Sequence, residues 1–87
     1  MGGKLISLSA LPLGKQARVR ALKSVGTVRR RLLDLGLIED TLVVPLHRSP
    51  SGDPVAYLVR GAVIALRLED ASKILVEPQN ITKYGII

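Results

Sequence analysis

Between Thr27 and Arg48 the chain carries a helix, a hard stop and a strand with little slack between them, and any fold must accommodate that sharp change of direction. Wound at ~100° per residue, Val28, Leu32 and Leu35 share one face, the spacing of a helix with a single buried side. Thr27 is the expected N-cap, and Gly36 supplies the positive φ that commonly ends a helix. Leu37 to Asp40 then lead into a strand in which Leu42, Val44 and Leu46 alternate with Val43, Pro45 and His47. Pro45 cannot donate to a ladder, so this strand lies at an edge or is bulged there.

The same winding turns Leu33 ~140° away from Val28, onto the outer surface between Arg29 and Arg30. An apolar side chain ringed by guanidinium groups is either a contact site or one of the scattered leucines common on protein surfaces.

The flanking segments fit a small β structure. Leu5 to Leu11 reads as a short helical turn capped by Ser7 or Ser9, with its leucines plugging one end and Pro12-Leu-Gly14 closing it. From Lys15 to Leu22, Ala17, Val19 and Ala21 face one way while Gln16, Arg18 and Arg20 face the other, the period of a half-buried strand with a basic outer face. Ser49 to Pro54 is the densest turn signal, with two prolines, a glycine and an aspartate able to cap nearby backbone. Val55–Arg60 and Val63–Arg67 then form a hairpin through Gly61-Ala62. Glu69 to Lys73 is a one-turn helical insert before a last strand, Ile74–Val76, ended by Pro78.

About five short antiparallel strands, one inserted helix and tight turns describe a mainly β fold, a small and strongly bent barrel. At 87 residues the chain has room for one domain. Its structural core is expected over residues 5–77, with 78–87 as a tail whose Ile86 and Ile87 either dock on a strand edge or fray. A domain this small buries only ~60% of its unfolded surface, so the 47% apolar content is needed inside. With no Phe or Trp, the core must be aliphatic; Leu32, Leu35, Val19, Val44, Ile64, Leu66 and Val76 are expected to share it.

Composition also narrows the chemistry. The absence of Cys removes disulfides, thiolate zinc sites, iron–sulfur clusters and cysteine nucleophiles. The lone histidine, His47, reads as a strand side chain at the barrel rim. As a metal ligand it would need oxygen partners such as Asp53, Glu39 or Asp40, giving a weak and permissive divalent site for Fe²⁺ or another ion. No dedicated cofactor is expected. The acidic pairs Glu39-Asp40 and Glu69-Asp70 sit beside turns, where carboxylates more often cap backbone than share a proton. No Gly-Lys-Ser/Thr phosphate loop follows any strand, so the chain is not read as an enzyme.

Thirteen Lys+Arg against seven Asp+Glu give a formal charge of +6, which favours acidic partners, nucleic acid or an anionic membrane surface. Arg18, Arg20, Arg29, Arg30 and Arg31 could line one surface suited to phosphates. Only Tyr57 and Tyr84 are available as stacking platforms for bases, which makes nucleic acid the weaker reading. Met1 to Leu13 lacks the unbroken apolar core of a signal peptide, and no run approaches the ~20 residues of a membrane span, so a cytoplasmic location is expected.

In order and spacing the motifs resemble the FeoA family, ferrous iron transport protein A. The matching pieces are Leu-x-x-Leu-x-x-Gly from Leu8 to Gly14, Arg-Arg-Leu-x-x-x-Gly-Leu from Arg30 to Leu37, and Gly52-Asp-Pro54. Ile64-Ala-Leu-Arg67, Glu69-Asp-Ala71 and Ile74-x-Val76 complete the pattern, which covers Leu5 to Glu77. Where the family usually has Pro-Gly after the helix, this chain has Glu39-Asp40. The resemblance implies an SH3-like barrel without enzymatic activity, a cytosolic accessory of ferrous iron uptake that works through the transporter FeoB and its GTP-binding domain. Related domains end some iron-dependent repressors, so a metal-dependent regulatory module or a stand-alone nucleic-acid-binding barrel is the alternative. The partner-binding residues expected are Arg29, Arg30 and Leu33, with Asp53 and Pro54 setting the shape of the adjoining loop.

Overall fold

A computed structural model describes residues 4–79. The expectations about Ile86 and Ile87 lie outside the described residues. Six strands form one antiparallel sheet: β1 (Ile6–Ser7), β2 (Ala17–Leu22), β3 (Leu42–Arg48), β4 (Val55–Val59), β5 (Ala62–Leu66) and β6 (Ile74–Pro78). Their order across the sheet is β1-β6-β2-β3-β4-β5. Helix α1 (Gly26–Asp34) joins β2 to β3, and the single turn α2 (Leu68–Ala71) joins edge strand β5 to β6. A 3₁₀ turn at Leu8–Ala10 follows β1 and packs against α2, so these two turns bridge the seam between the ends of the sheet.

The sheet curls around one core. Leu8, Leu11, Val19, Leu32, Leu37, Val43, Tyr57, Leu66, Ile74 and Val76 are all buried in it, and together they come from every part of the described chain. The inserted helix, the tight hairpin and the mainly β, barrel-like architecture agree with the sequence. The two-residue β1 is an addition, since so short a strand has no period to detect. Ser7 stands at the N-terminus of the 3₁₀ turn without a side-chain cap bond; its hydroxyl is instead 2.8 Å from that of Ser9.

Three local expectations are corrected. On β3 it is Val43 and Pro45 that are buried, while Leu42 and Leu46 are exposed and Val44 is only half-buried. Pro45 fits this interior strand because the register with β4 shifts between Pro45 and His47, the bulge alternative. On β2 a register shift between Val19 and Ala21 breaks the alternation, leaving Ala21 exposed. In α1 the N-cap position is Val25, without a side-chain bond, rather than Thr27.

The helix end determines which leucine enters the core. Gly36 has φ of 101°. Leu37 N–H donates to Leu32 O at 3.1 Å and Gly36 N–H to Leu33 O at 2.9 Å, the paired bonds of a Schellman stop. The chain therefore leaves the helical period after Asp34. Leu35 stays 36% exposed, and Leu37 is buried in its place. A Cβ on Gly36 would lie 3.1 Å from Arg60 Cδ, in a conformation that L side chains rarely adopt. Gly36→Ala is accordingly expected to cost about 1–3 kcal/mol in urea unfolding, and an unchanged midpoint would refute this account of the stop.

Tyr57 is 1% exposed, and burial pushes its phenol above the ordinary value of 10.0, with Arg48 pulling weakly the other way. A raised folded-state pKa gives stability that is fully present below pH 10.0 and lost as pH rises through the folded value, because the unfolded tyrosine ionises first. The alkaline fall in unfolding free energy should shrink in Tyr57→Phe; an identical fall in both proteins would contradict it.

Candidate interaction surface on the inserted helix

Helix α1 buries Leu32 completely and packs Val28 partly against the core, which leaves Arg29, Arg30, Leu33 and Asp34 outside. Leu33 is 37% exposed. A shallow hollow of about 270 Å³ runs along Gly26, Arg29, Arg30, Leu33 and Asp34. A second, of about 120 Å³, lies between Leu33 and Arg29 on one side and Arg20, Leu22 and Glu39 on the other. Leu33 is thus the apolar ridge between two concavities with charged walls. The sequence placed these three residues together, and the structure does so too.

The surrounding arginines differ in what they can offer. Arg29 Nη1 donates to Leu22 O at 3.0 Å, which fixes this side chain as a wall of both hollows. Arg31 is bonded to Asp70 at 3.0 Å. Arg20 holds both Asp40 and Glu77, and Arg18 donates to Asp40 O at 2.9 Å. These carboxylates hold the Arg20 guanidinium even more firmly in its charged form, the bond it donates to Glu77 contributing most. Among the described residues, Arg30 has no such bond. The five cations expected to line one phosphate-binding face are therefore largely engaged within the molecule, and β2 carries an ion-pair network rather than a free basic face.

Asp40 occupies the left-handed region with φ of 74°, where aspartate is better tolerated than most residues. Its carboxylate is one of the two that Arg20 grips. Asp53 also has a specific task. Its Oδ1 accepts the N–H of Leu68 at 3.0 Å, capping α2 from the distant Ser49–Pro54 loop. Gly52 N–H to Ser49 O at 2.8 Å and Ser49 N–H to Pro54 O at 3.1 Å close that loop upon itself. Asp53 and Pro54 thus shape the loop, and the Asp53 carboxylate is partly occupied.

His47 is exposed on β3 beyond the bulge. Among the described residues no three His, Cys, Asp or Glu side chains come together as a metal-holding group. Sequence reasoning missed a further hollow of about 340 Å³, lined by Ile6, Leu11, Pro12, Pro78, Lys15 and Gln16 among others. It forms where β1 meets the end of β6, and the unrecognised strand β1 hid it.

The curled antiparallel sheet with its inserted helix defines a small SH3-like module. The model of the FeoA domain matches residues 6–78, and the chain belongs to that family. It is 36% identical over 70 residues to a Fe(2+) transport protein A/Fe(2+) transporter FeoB fusion protein of Porphyromonas gingivalis (strain ATCC BAA-308 / W83), a match covering 80% of this chain and 8% of that protein. The chain therefore corresponds to less than a tenth of that relative. The solution structure of FeoA from Chlorobium tepidum is similar with a TM-score of 0.79 and 34% identity, over 84% of this chain and 70% of that one. FeoA of Stenotrophomonas maltophilia complexed with zinc, described as a prokaryotic SH3 domain protein, matches with a TM-score of 0.74 and 29% identity, over 83% and 89% of the two chains. Among the described residues, no helix is long and apolar enough to cross a membrane.

Proposed function

We propose that this protein is a small cytoplasmic accessory of ferrous iron uptake, without enzymatic activity, that binds the cytosolic GTP-binding part of a FeoB-type transporter through the outer face of α1. The observation that carries the reading is Leu33, an apolar side chain kept out of the core and set between Arg29 and Arg30 above two hollows. Anchors of this kind combine apolar area with arginine, the pairing enriched where interface energy concentrates. A helix face is also already ordered, so docking sacrifices little conformational freedom.

The choice of partner is supported by the Porphyromonas relative, in which a transport protein A and the transporter FeoB are one fused chain. Fusion makes the second contact intramolecular and raises its effective concentration, which is useful for a weak, specific contact. Calorimetric titration of a purified FeoB cytosolic domain with this protein is expected to give saturable binding. No binding at any protein concentration reached, with both partners folded, would overturn the reading.

A further inference from the structure

We propose that the outer face of β3, β4 and β5 rests on an anionic lipid surface. In an antiparallel sheet with one face in the core, strands are expected to alternate apolar and polar residues. These three do not: Leu42-Val-Val-Pro-Leu46, Val55-Ala-Tyr-Leu-Val59 and Ala62-Val-Ile-Ala-Leu66 contain no charged residue. The inward set is Val43, Pro45, Val55, Tyr57, Val59 and Leu66, buried in the core. The outward set is also apolar. Val44, Leu58 and Val63 lie in one row across the register, flanked by Leu42, Leu46 and Ala65. Val63 is 61% exposed, and Leu42, Leu46 and Leu58 are each exposed by more than a third.

Shape and charge select the occupant. The sheet curls around its core, so this outer face is its convex side, and none of the three hollows described above opens on it. Two copies meeting convex face to convex face would touch through few side chains, against the ~20–30 residues a side of a stable interface. A lipid interface instead yields around a convex apolar body. The strand ends framing the patch carry Arg48 at the end of β3, Arg60 in the β4–β5 turn and Arg67 just after β5. All three are exposed, and among the described residues their guanidinium groups make no ion pair or hydrogen bond. A second copy of the same face would set like charges together, whereas anionic headgroups complement them, and a net charge of +6 adds long-range attraction.

Co-flotation with vesicles tests this. The protein should float with phosphatidylcholine vesicles containing phosphatidylglycerol, less so in high salt, and not with phosphatidylcholine alone. The double variant Leu58→Thr/Val63→Thr keeps strand propensity while removing apolar surface, and should lose binding about tenfold. Arg60→Gln/Arg67→Gln, which leaves the apolar face intact, should weaken it several-fold. Circular dichroism confirms that each variant is folded. Absence of flotation with anionic vesicles, or equal flotation of the wild type and either folded variant, overturns the proposal. So does a concentration-dependent dimer in sedimentation that the threonine variant abolishes, since the face would then belong to a second copy.

Discussion

Leu32→Ala is expected to lower the unfolding free energy by about 2–5 kcal/mol, while Leu33→Ala, one position along the same helix, should cost less than about 1 kcal/mol. Leu32 is 0% exposed, so the truncation removes a side chain from a core packed on every side and leaves a cavity. Relaxation has little room. The core residues of β2, β4 and β6 that share its cluster are held by sheet pairing, and the Leu32 carbonyl is anchored by the Leu37 N–H. Leu33 is 37% exposed and borders open hollows into which water follows the lost methyls. Leu35→Ala belongs with Leu33→Ala, because Leu35 lies outside the core. Total stability for a domain is only about 5–15 kcal/mol, so the first change removes a large share of it. Urea unfolding of the three variants measures this directly; equal midpoint shifts for Leu32→Ala and Leu33→Ala would show that the helix faces are misassigned.

How well the sequence foretold each element depended on whether polar residues marked a phase. α1 was legible because charged residues occupy the positions around Leu32, and Gly36 announced the stop. The period misled only for Leu35, which lies past the last helical residue, where 3.6-residue winding no longer applies. On β3 the run Leu42 to Leu46 has no polar residue to say which half faces water, so the phase chosen was the wrong one. The physical cause is the apolar outer face itself. The bulge in β2 that turns Ala21 outward could not be read because it is a matter of register with β6, more than fifty residues further on. The same distance hid the pairing of Arg20 with Glu77, and the capping of Leu68 by Asp53, fifteen residues apart, likewise depends on how β4 and β5 fold back. Of the candidate surface, Arg29, Arg30 and Leu33 followed from local winding alone. That Arg29 is tied to Leu22 O and Arg30 is not required the folded chain.

Leu33→Glu is expected to reduce association with a FeoB-type cytosolic domain by at least about a hundredfold, leaving the fold intact. Desolvation is the cause. If Leu33 is the central anchor, docking removes it from water, and a carboxylate there would enter a dry interface unpaired, a cost of several kcal/mol. In the free protein the same carboxylate is tolerated, because the site is open and flanked by Arg29 and Arg30, which partly neutralise it. Arg30→Glu should weaken binding more modestly and more strongly at low salt, since its charge acts from the edge of the contact. Arg20 is unsuitable as a comparison, because replacing it breaks the network with Asp40 and Glu77. Arg67, exposed and lining neither hollow beside Leu33, serves instead; its neutralisation should slow association slightly and leave dissociation unchanged.

The most direct test is binding kinetics on an immobilised FeoB-type cytosolic domain, comparing the wild type with Leu33→Glu, Arg30→Glu and Arg67→Gln at two salt concentrations. Circular dichroism establishes that each variant is folded. The account predicts loss of binding for Leu33→Glu, faster dissociation for Arg30→Glu and near-wild-type dissociation for Arg67→Gln. Full-strength binding by a folded Leu33→Glu protein would contradict it and move the contact away from α1.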